Sequence, residues 1–299
     1  MKKESVQYQL CREALKDVTT DKTVVTYKRS IKQFVAWERE HPPAHALDPA
    51  ERVQRWERAL EKQGYSPSSI HSKIAPVCKG FKVSMSEISH PRRTSDKITR
   101  GRREDVNRQG QLETENKRYA DSLSLSRGTG LRRAELTRVR LSDLVKDENG
   151  YPCIRTKGKG GKVQYQRILP SHLDDVRAVL RRGAVEMGGH IDYHSIRASV
   201  AREAYSYYKE RLDREPGYRA QLRRELIDRF NAHHGPGRAA RERYMRSMGG
   251  SPYVLRGANA ERARQAGRPT VYDRTALLAV SVFHLSHWRV DVTVTNYLV

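Results

Sequence analysis

Cysteine is scarce in this sequence, and the three cysteines that occur form no pattern. Cys11, Cys78 and Cys153 stand far apart and make no Cys-x-x-Cys pair. Disulfide-rich secreted domains and zinc modules use closely spaced cysteines, so this spacing argues against a disulfide framework and against a zinc site. We therefore expect a reducing compartment, and we assign no metal and no cofactor.

Long hydrophobic runs are also missing. The sequence has no stretch of about 18 consecutive apolar residues, which is the least that a membrane-spanning helix needs. Its opening, MKKESVQYQL, has basic residues but no apolar segment behind them, so it does not resemble a signal peptide. We see no internal repeat. The sequence predicts no association with a membrane.

Negative charge is in short supply relative to positive charge. The 299 residues include 58 Lys and Arg against 35 Asp and Glu, a formal net charge of +23. A surplus of this size favours a polyanionic partner, and phosphate backbones are the commonest polyanions. A ribosome-like basic protein, or charge that serves solubility alone, would show the same surplus, but neither predicts organised motifs.

Residues 1–88 show the periodicity of helices. In TVVTYKRSIKQFVAWERE, for example, the apolar residues recur at helical spacing. Asp48 and Ser66 are helix-capping residue types, and each is followed by a proline suited to the first turn of a helix. The sequence predicts a small, basic, all-helical domain here.

Residues 89–111 lack any period and are typical of a linker. They carry seven Lys or Arg against three Asp or Glu. The segment would suit a strap lying along phosphates or a plain solvated connection, and its composition does not choose between them. The candidate DNA-binding residues within it are Arg92, Arg93, Arg100, Arg102 and Arg103.

A second domain is predicted over residues 112–299. Two short strands are expected at 151–156 and 163–169, joined by KGKGGK, whose glycines suit a hairpin turn. A helix follows, with Asp192 as its candidate cap. Mixed elements of this kind predict a mainly helical α+β domain with a small antiparallel sheet.

Two short motifs in this domain place polar groups three residues apart, on one helical face. Arg132 and Glu135 could form a phosphate clamp or an ordinary ion pair within a helix. His194 and Arg197, in HSIR, could direct two donors at one phosphate, or could be a buried histidine beside a surface arginine. Taken singly, neither motif decides between its two interpretations.

Lysines in the hairpin are a third candidate group. KGKGGK is not a P-loop, because the Gly-Lys-Ser/Thr ending is missing and the segment lies between strands. Lys159, at the tip, could reach an active site or could be a solvated turn residue. Lys157 and Lys162 flank it as candidate DNA-binding residues.

A tyrosine close to the end of the sequence raises a further question. Tyr297 lies two residues before the last residue, Val299. Chain ends tolerate change more than other positions, so the aromatic ring there is either a hydrophobic anchor for a helix or a residue whose hydroxyl is needed. Nothing local distinguishes these two roles.

The order of these motifs resembles the tyrosine recombinase, or phage-type integrase, family. They run TGLRRAEL, a lysine in a glycine-rich hairpin, HSIR, then LSHWRVDVTVTNYL. The resemblance covers nearly the whole chain, because the helical first domain is similar to the family's core-binding domain. It implies a catalytic set of Arg132, Glu135, Lys159, His194, Arg197, His287 and the nucleophile Tyr297.

This sequence departs from the family pattern in two places. Ser286 replaces the usual glycine of Leu-Gly-His, which predicts an ordinary backbone conformation there. The number of residues between Arg197 and His287 is also larger than is common in the family, so residues 206–271 are interpreted as an insertion. This segment contains 15 Lys or Arg against seven Asp or Glu. That insertion would contact DNA or another protomer, or would be a solvated elaboration.

The resemblance implies a site-specific DNA recombinase that integrates or excises a mobile element through a 3′-phosphotyrosyl intermediate. Double-stranded DNA with specific sites is the implied partner, bound by a homo-tetramer through a Holliday junction, with DNA-bending accessory proteins as further candidates. The implied location is the cytoplasm, on DNA, in the nucleoid of a bacterium or archaeon.

Other functions stay open on the sequence alone. A type IB topoisomerase or hairpin resolvase would use similar residues. A non-catalytic DNA-binding regulator could keep the fold, although here every catalytic position is filled. A basic RNA-binding module would need stacking aromatics on a strand surface, for which only Tyr151 and Tyr165 are available.

Overall fold

A computed structural model describes residues 4–92, 117–158, 161–189, 191–233, 246, 248 and 251–299. The chain divides into two units, residues 1–99 and 100–299. Among the described helices, none has the length and apolar character needed to cross a bilayer.

The described part of the first unit is helical. Its α-helices are α1 (Val6–Leu15), α2 (Asp21–Glu40), α3 (Pro49–Lys62) and α4 (Pro67–Phe81), followed by a 3-10 turn at Met85–Glu87. Asp48 caps α3 by accepting a hydrogen bond from the Glu51 amide at 2.8 Å, and the Glu51 carboxylate accepts one from the Asp48 amide at 3.1 Å. Both predicted caps are confirmed, since Ser66 caps α4 in the same position.

Aromatic and aliphatic side chains fill the core of this unit. The Phe34 ring meets Trp56 and Phe81 edge to face, with centroid separations of 5.4 and 5.8 Å. Ile31 and Ile74 are fully buried beside them. The periodicity of the sequence is therefore explained by one continuous apolar core among the four helices.

The predicted linker is described only at its start. Ser89 is tied back to α3, because its amide donates to the Gln54 side chain at 2.8 Å and its carbonyl accepts from the same amide group at 2.9 Å. Arg92 is exposed. Arg93, Arg100, Arg102 and Arg103 lie outside the described residues.

The described part of the second unit combines helices with two small sheets. Its helices are α5 (Ala120–Thr129), α6 (Arg133–Leu136), α7 (Leu173–Arg182), α8 (Tyr193–Arg214), α9 (Tyr218–Ala232), α10 (Gly257–Gln265), α11 (Arg274–Ala279) and α12 (Val290–Thr293). The last two continue as wide π-type turns over Val280–His284 and Val294–Leu298.

Both sheets are antiparallel. Strands β1 (Leu144–Lys146), β2 (Pro152–Lys157) and β3 (Val163–Arg167) form one sheet in that order, and β4 (Tyr253–Val254) pairs with β5 (Val271–Tyr272) in the other. The β2–β3 hairpin confirms the two predicted strands, with their ends shifted by one or two residues. The expected mainly helical chain with a small antiparallel sheet is thus confirmed.

The segment interpreted as an insertion, residues 206–271, is built into the core where it is described. Helix α8 passes through Ser206 without a break, so the expected boundary falls inside a helix. Helix α9 buries Tyr218, Leu222 and Leu226 in the cluster that contains Phe283. The described part is therefore not a solvated elaboration, while its contact with DNA stays a prediction.

A buried ionic network joins α9 to the three-stranded sheet. Arg167 on β3 donates to Asp147 at 2.6 Å and to Glu225 on α9 at 2.7 Å. Arg229, one turn along α9, donates to the same Asp147 at 2.7 Å. The Arg167 guanidinium also lies 3.6 Å from the Phe283 ring centroid. Charged groups therefore join α9 to the sheet in addition to the apolar contacts that α9 makes with the core.

Candidate active site

Arg132 is held in place by the carboxylate of Glu135, three residues later in the sequence. It occupies the position just before α6, and its guanidinium donates to Glu135 at 2.7 Å while its backbone amide donates to the other carboxylate oxygen at 2.8 Å. Glu135 is buried, whereas about a third of the Arg132 side chain is exposed, at 33%. The ion pair therefore orients Arg132 and leaves part of its guanidinium open to a ligand.

His194 and Arg197 project from the first turns of α8. Asp192 caps this helix, accepting from the amides of His194 at 3.0 Å and Ser195 at 3.2 Å, as predicted. His194 is exposed and Arg197 is fully buried. The alternative of a buried histidine beside a surface arginine is wrong, because the burial is reversed.

The Arg197 guanidinium joins three separate parts of the second unit. It donates to the carbonyl of Gly130, and to the carbonyl of Leu285 at 2.6 Å. Burial lowers the pKa of Arg197, and a hydrogen bond with Tyr297 opposes this effect. Since Gly130 precedes Arg132 and Leu285 precedes His287, this buried side chain ties both motifs to α8.

His287 follows a residue in the left-handed conformation. Ser286 has φ of 49°, so the expected ordinary conformation is wrong, and serine adopts the geometry that glycine supplies without strain. Within the described part of the chain, neither ring nitrogen of His287 has a hydrogen-bond partner. Burial and the nearby Arg197 lower the pKa of His287 to about 3, so its imidazole is neutral at pH 7.

Tyr297 lies among these residues, in the π-type turn that ends the last helix. Its ring centroid is 5.3 Å from that of His194 and 5.6 Å from that of His287, and the Arg197 guanidinium carbon is 5.6 Å from the same ring. The side chain is 6% exposed and belongs to the hydrophobic core. Tyr297 is therefore packed and also surrounded by the predicted catalytic groups.

A cavity of about 320 Å³ opens at this cluster. Its lining residues are Arg132, Arg133, Ile191, Asp192, Tyr193, His194 and Arg197. Two of the predicted arginines and one predicted histidine thus face one open space. Among the described residues, no group of three His, Cys, Asp or Glu side chains is placed to hold a metal ion.

The hairpin lysines are only partly described. Lys159 lies outside the described residues, so its position relative to Tyr297 is not stated. Lys157 and Lys162 are exposed at the two sides of the turn, where the Gly158 amide donates to the Lys162 carbonyl at 2.8 Å.

Two glutamines near the site were not among the predicted residues. Gln164 on β3 accepts from the Arg132 guanidinium at 3.4 Å, and Gln166 is buried between the motifs that carry Arg132 and His287. The sequence VQYQR does hold a signal, because alternate residues of a strand point to one face. Nothing in the sequence indicates which face meets the site.

Comparisons with known proteins add little to this geometry. No protein-family model matches the chain. No curated protein matches it either. A solved structure, described as the crystal structure of XerA recombinase, aligns with a TM-score of 0.25 and 15% sequence identity over 68% of this chain and 84% of that chain. At this TM-score the two structures superpose too poorly for the likeness to support an assignment.

Proposed function

We propose that this protein is a tyrosine-type site-specific DNA recombinase, which cuts and rejoins DNA through a 3′-phosphotyrosyl intermediate. The observation that carries the proposal is the position of Tyr297, flanked by the rings of His194 and His287 and by the buried Arg197 guanidinium. Residues far apart in sequence come together around one hydroxyl-bearing side chain.

Attack on a phosphodiester places extra negative charge on its non-bridging oxygens. Guanidinium and imidazole groups directed at those oxygens can stabilise the charge, as metal ions do in other enzymes. Arg132 and Arg197 supply cationic donors beside the cavity. His194 supplies a third hydrogen-bond donor. The neutral His287 supplies a fourth, because its ring has one N–H group and no hydrogen-bond partner among the described residues.

Tyr297 is the nucleophile in this proposal. Its hydroxyl gives its proton to solvent, and the phenolate oxygen, favoured by the nearby cationic groups, attacks phosphorus. The bond from phosphorus to the 5′ oxygen breaks, and the leaving oxygen takes a proton from Lys159 acting as general acid. Lys159 has this role by resemblance alone. The products are a 3′-phosphotyrosyl bond and a free 5′ hydroxyl. Because the broken ester is replaced by another ester, the 5′ hydroxyl of a second strand can reverse the step without ATP.

The partners follow from this chemistry and from the charge. Double-stranded DNA is the proposed substrate, and the net charge of +23 suits it. Arg92, Lys157 and Lys162 are exposed and available for phosphate contacts. Assembly of four copies on two sites, with exchange through a Holliday junction, belongs to the same proposal.

The test is a covalent-capture experiment on a nicked suicide substrate. The DNA site is identified first, by testing which fragments from the genomic neighbourhood of the gene become covalently linked to the wild-type protein. Tyr297→Phe should then bind this DNA normally and form no covalent product, because only the hydroxyl is lost. Relaxation of a supercoiled plasmid that lacks the site would instead indicate a topoisomerase.

A matched control is available in the same core. Tyr272 is buried, and its hydroxyl has no partner within the described part of the chain. Tyr272→Phe should form the covalent product at the wild-type yield. Adducts that persist in Tyr297→Phe at that yield would show that another residue is the nucleophile.

A further inference from the structure

We propose that Gln166 is a positioning residue, which holds the segment before Arg132 and the segment before His287 in register. This inference rests on the proposed function, because it concerns the same site. Gln166 touches neither Tyr297 nor a predicted catalytic side chain in any described hydrogen bond. Its effect on the reaction would pass through two stretches of backbone.

The contacts of Gln166 are made by its amide nitrogen. Nε2 donates to the carbonyl of His284 at 2.6 Å and to the carbonyl of Thr129 at 3.2 Å. The residue is fully buried, and its Oε1 has no partner within the described part of the chain. Both amide hydrogens therefore join two carbonyls that lie far apart in sequence.

Arg197 joins the next carbonyl in each of the same two segments. It donates to Gly130, which follows Thr129, and to Leu285, which follows His284. Two consecutive carbonyls in each segment are thus held by two donors, one from β3 and one from α8. Arg197 also contacts Tyr297, so its substitution would change the site directly. Gln166 is the donor that can be changed alone.

Strand β3 connects Gln166 to the hairpin and to Arg132. Gln164 and Gln166 lie two residues apart and so share one face of the strand. Gln164 accepts from Arg132 at 3.4 Å. On the opposite face, Arg167 anchors the strand to Asp147 and Glu225. The position of β3 is therefore transmitted to both catalytic segments through its two glutamines.

Loss of the Gln166 donor should slow the chemical step more than it weakens DNA binding. Two buried carbonyls would lose their partner, and the segments that carry Arg132 and His287 could shift. A displacement of about 1 Å at reacting groups can cost on the order of 10²-fold in rate. Exposed phosphate contacts would be unchanged.

Gln166→Met and Gln166→Glu test the donor at nearly constant volume. Covalent-product formation is measured in single turnovers at saturating DNA, after circular dichroism and thermal melting show that each variant is folded. We expect Gln166→Met to react roughly 10–10²-fold more slowly than wild type, with unchanged DNA affinity. Formation at the wild-type rate in folded Gln166→Met would overturn the proposal.

Gln166→Glu adds a further measurement, the pH dependence of the rate relative to wild type, which a purely structural role would not change. An ionised carboxylate facing two carbonyls repels them, whereas the protonated form can donate one hydrogen bond. Burial raises the pKa of such a carboxyl group. The rate of Gln166→Glu relative to wild type should therefore rise as pH is lowered from 8 to 5.5, while the same ratio for Gln166→Met stays constant. A constant ratio for Gln166→Glu would contradict the proposal.

A second measurement separates this inference from the proposed function. Diethyl pyrocarbonate modifies accessible neutral histidines, and mass spectrometry locates the modified residue, with exposed His45 as the internal reference. His287 should react several-fold faster in Gln166→Met than in wild type. If wild type forms no covalent product, the proposed function fails, and the His287 rate still decides whether Gln166 positions this segment. An unchanged His287 rate would show that it does not.

Discussion

The two units of this chain bury different kinds of side chain. In the described part of the first unit, the buried polar residues are Ser30 and Glu57, and the rest of the core is apolar. The second unit buries Arg167, Arg197 and Arg229, together with carboxylates and Gln166. The first core is held mainly by apolar contact, and the second combines apolar clusters with buried hydrogen bonds of fixed direction.

This difference shows where orientation matters in the molecule. Apolar packing tolerates exchange of similar shapes, whereas a buried polar group that loses its hydrogen-bond partner leaves the cost of its desolvation uncompensated. In the second unit, buried Arg197 and Gln166 hold the two backbone segments that precede Arg132 and His287. The candidate active site of the second unit depends on several side chains at set distances, and directional contacts behind those side chains serve that need.

The largest expected effect that tests this contrast comes from Arg167→Met. The change removes the donor shared by Asp147 and Glu225, and breaking a buried pair of this kind costs roughly 3–5 kcal/mol. Ile31→Leu in the first unit, a change of shape without change of volume, should cost less than about 1.5 kcal/mol. The free energy of unfolding from chemical denaturation compares them, and equal losses would contradict the contrast.

A smaller effect should appear in the pH dependence of stability. Burial lowers the pKa of both His284 and His287 to about 3. Between that value and the unfolded value of 6.5, the unfolded chain binds more protons, so stability falls as pH falls through this window. From pH 6.5 to 5, each histidine should remove roughly 1–2 kcal/mol.

His284→Gln provides the matched variant for that measurement. Only the His287 contribution should remain, so the loss of unfolding free energy between pH 6.5 and pH 5 should be about half that of wild type. Carboxylates with ordinary pKa values stay ionised in this interval and do not mask the effect. A pH dependence unchanged by the substitution would rule out His284 as a contributor.

The smallest expected effect concerns backbone strain. Ser286 has φ of 49° and a buried hydroxyl oxygen without a described partner, whereas Lys82 in the first unit has φ of 59° and is exposed. Replacing a left-handed residue by glycine relieves roughly 1–2 kcal/mol of backbone strain in the folded state. The greater conformational freedom of glycine in the unfolded chain offsets about 0.5–1 kcal/mol of that gain. Ser286→Gly should therefore stabilise the protein, and by more than Lys82→Gly. Thermal melting ranks the two, and the opposite order would contradict this account.

The first unit is the region where the sequence was most informative. Helices at Asp48 and Ser66 begin where capping residues and prolines predict them, because these signals act within one turn of the chain. The β2–β3 hairpin and the cap of α8 at Asp192 were predicted for the same reason. Each of these features depends on residues a few positions apart.

The sequence by itself determined the local elements and the identity of the residues around Tyr297. Only the tertiary structure decided how those residues are held: Arg197 is buried with its donors on distant carbonyls, Gln166 joins Thr129 to His284, and α9 belongs to the core. The left-handed Ser286 was also decided at that level. The physical reason is that a buried polar group finds its partner through three-dimensional packing, and the partner can be any backbone carbonyl, whose identity leaves no trace in the amino-acid letters.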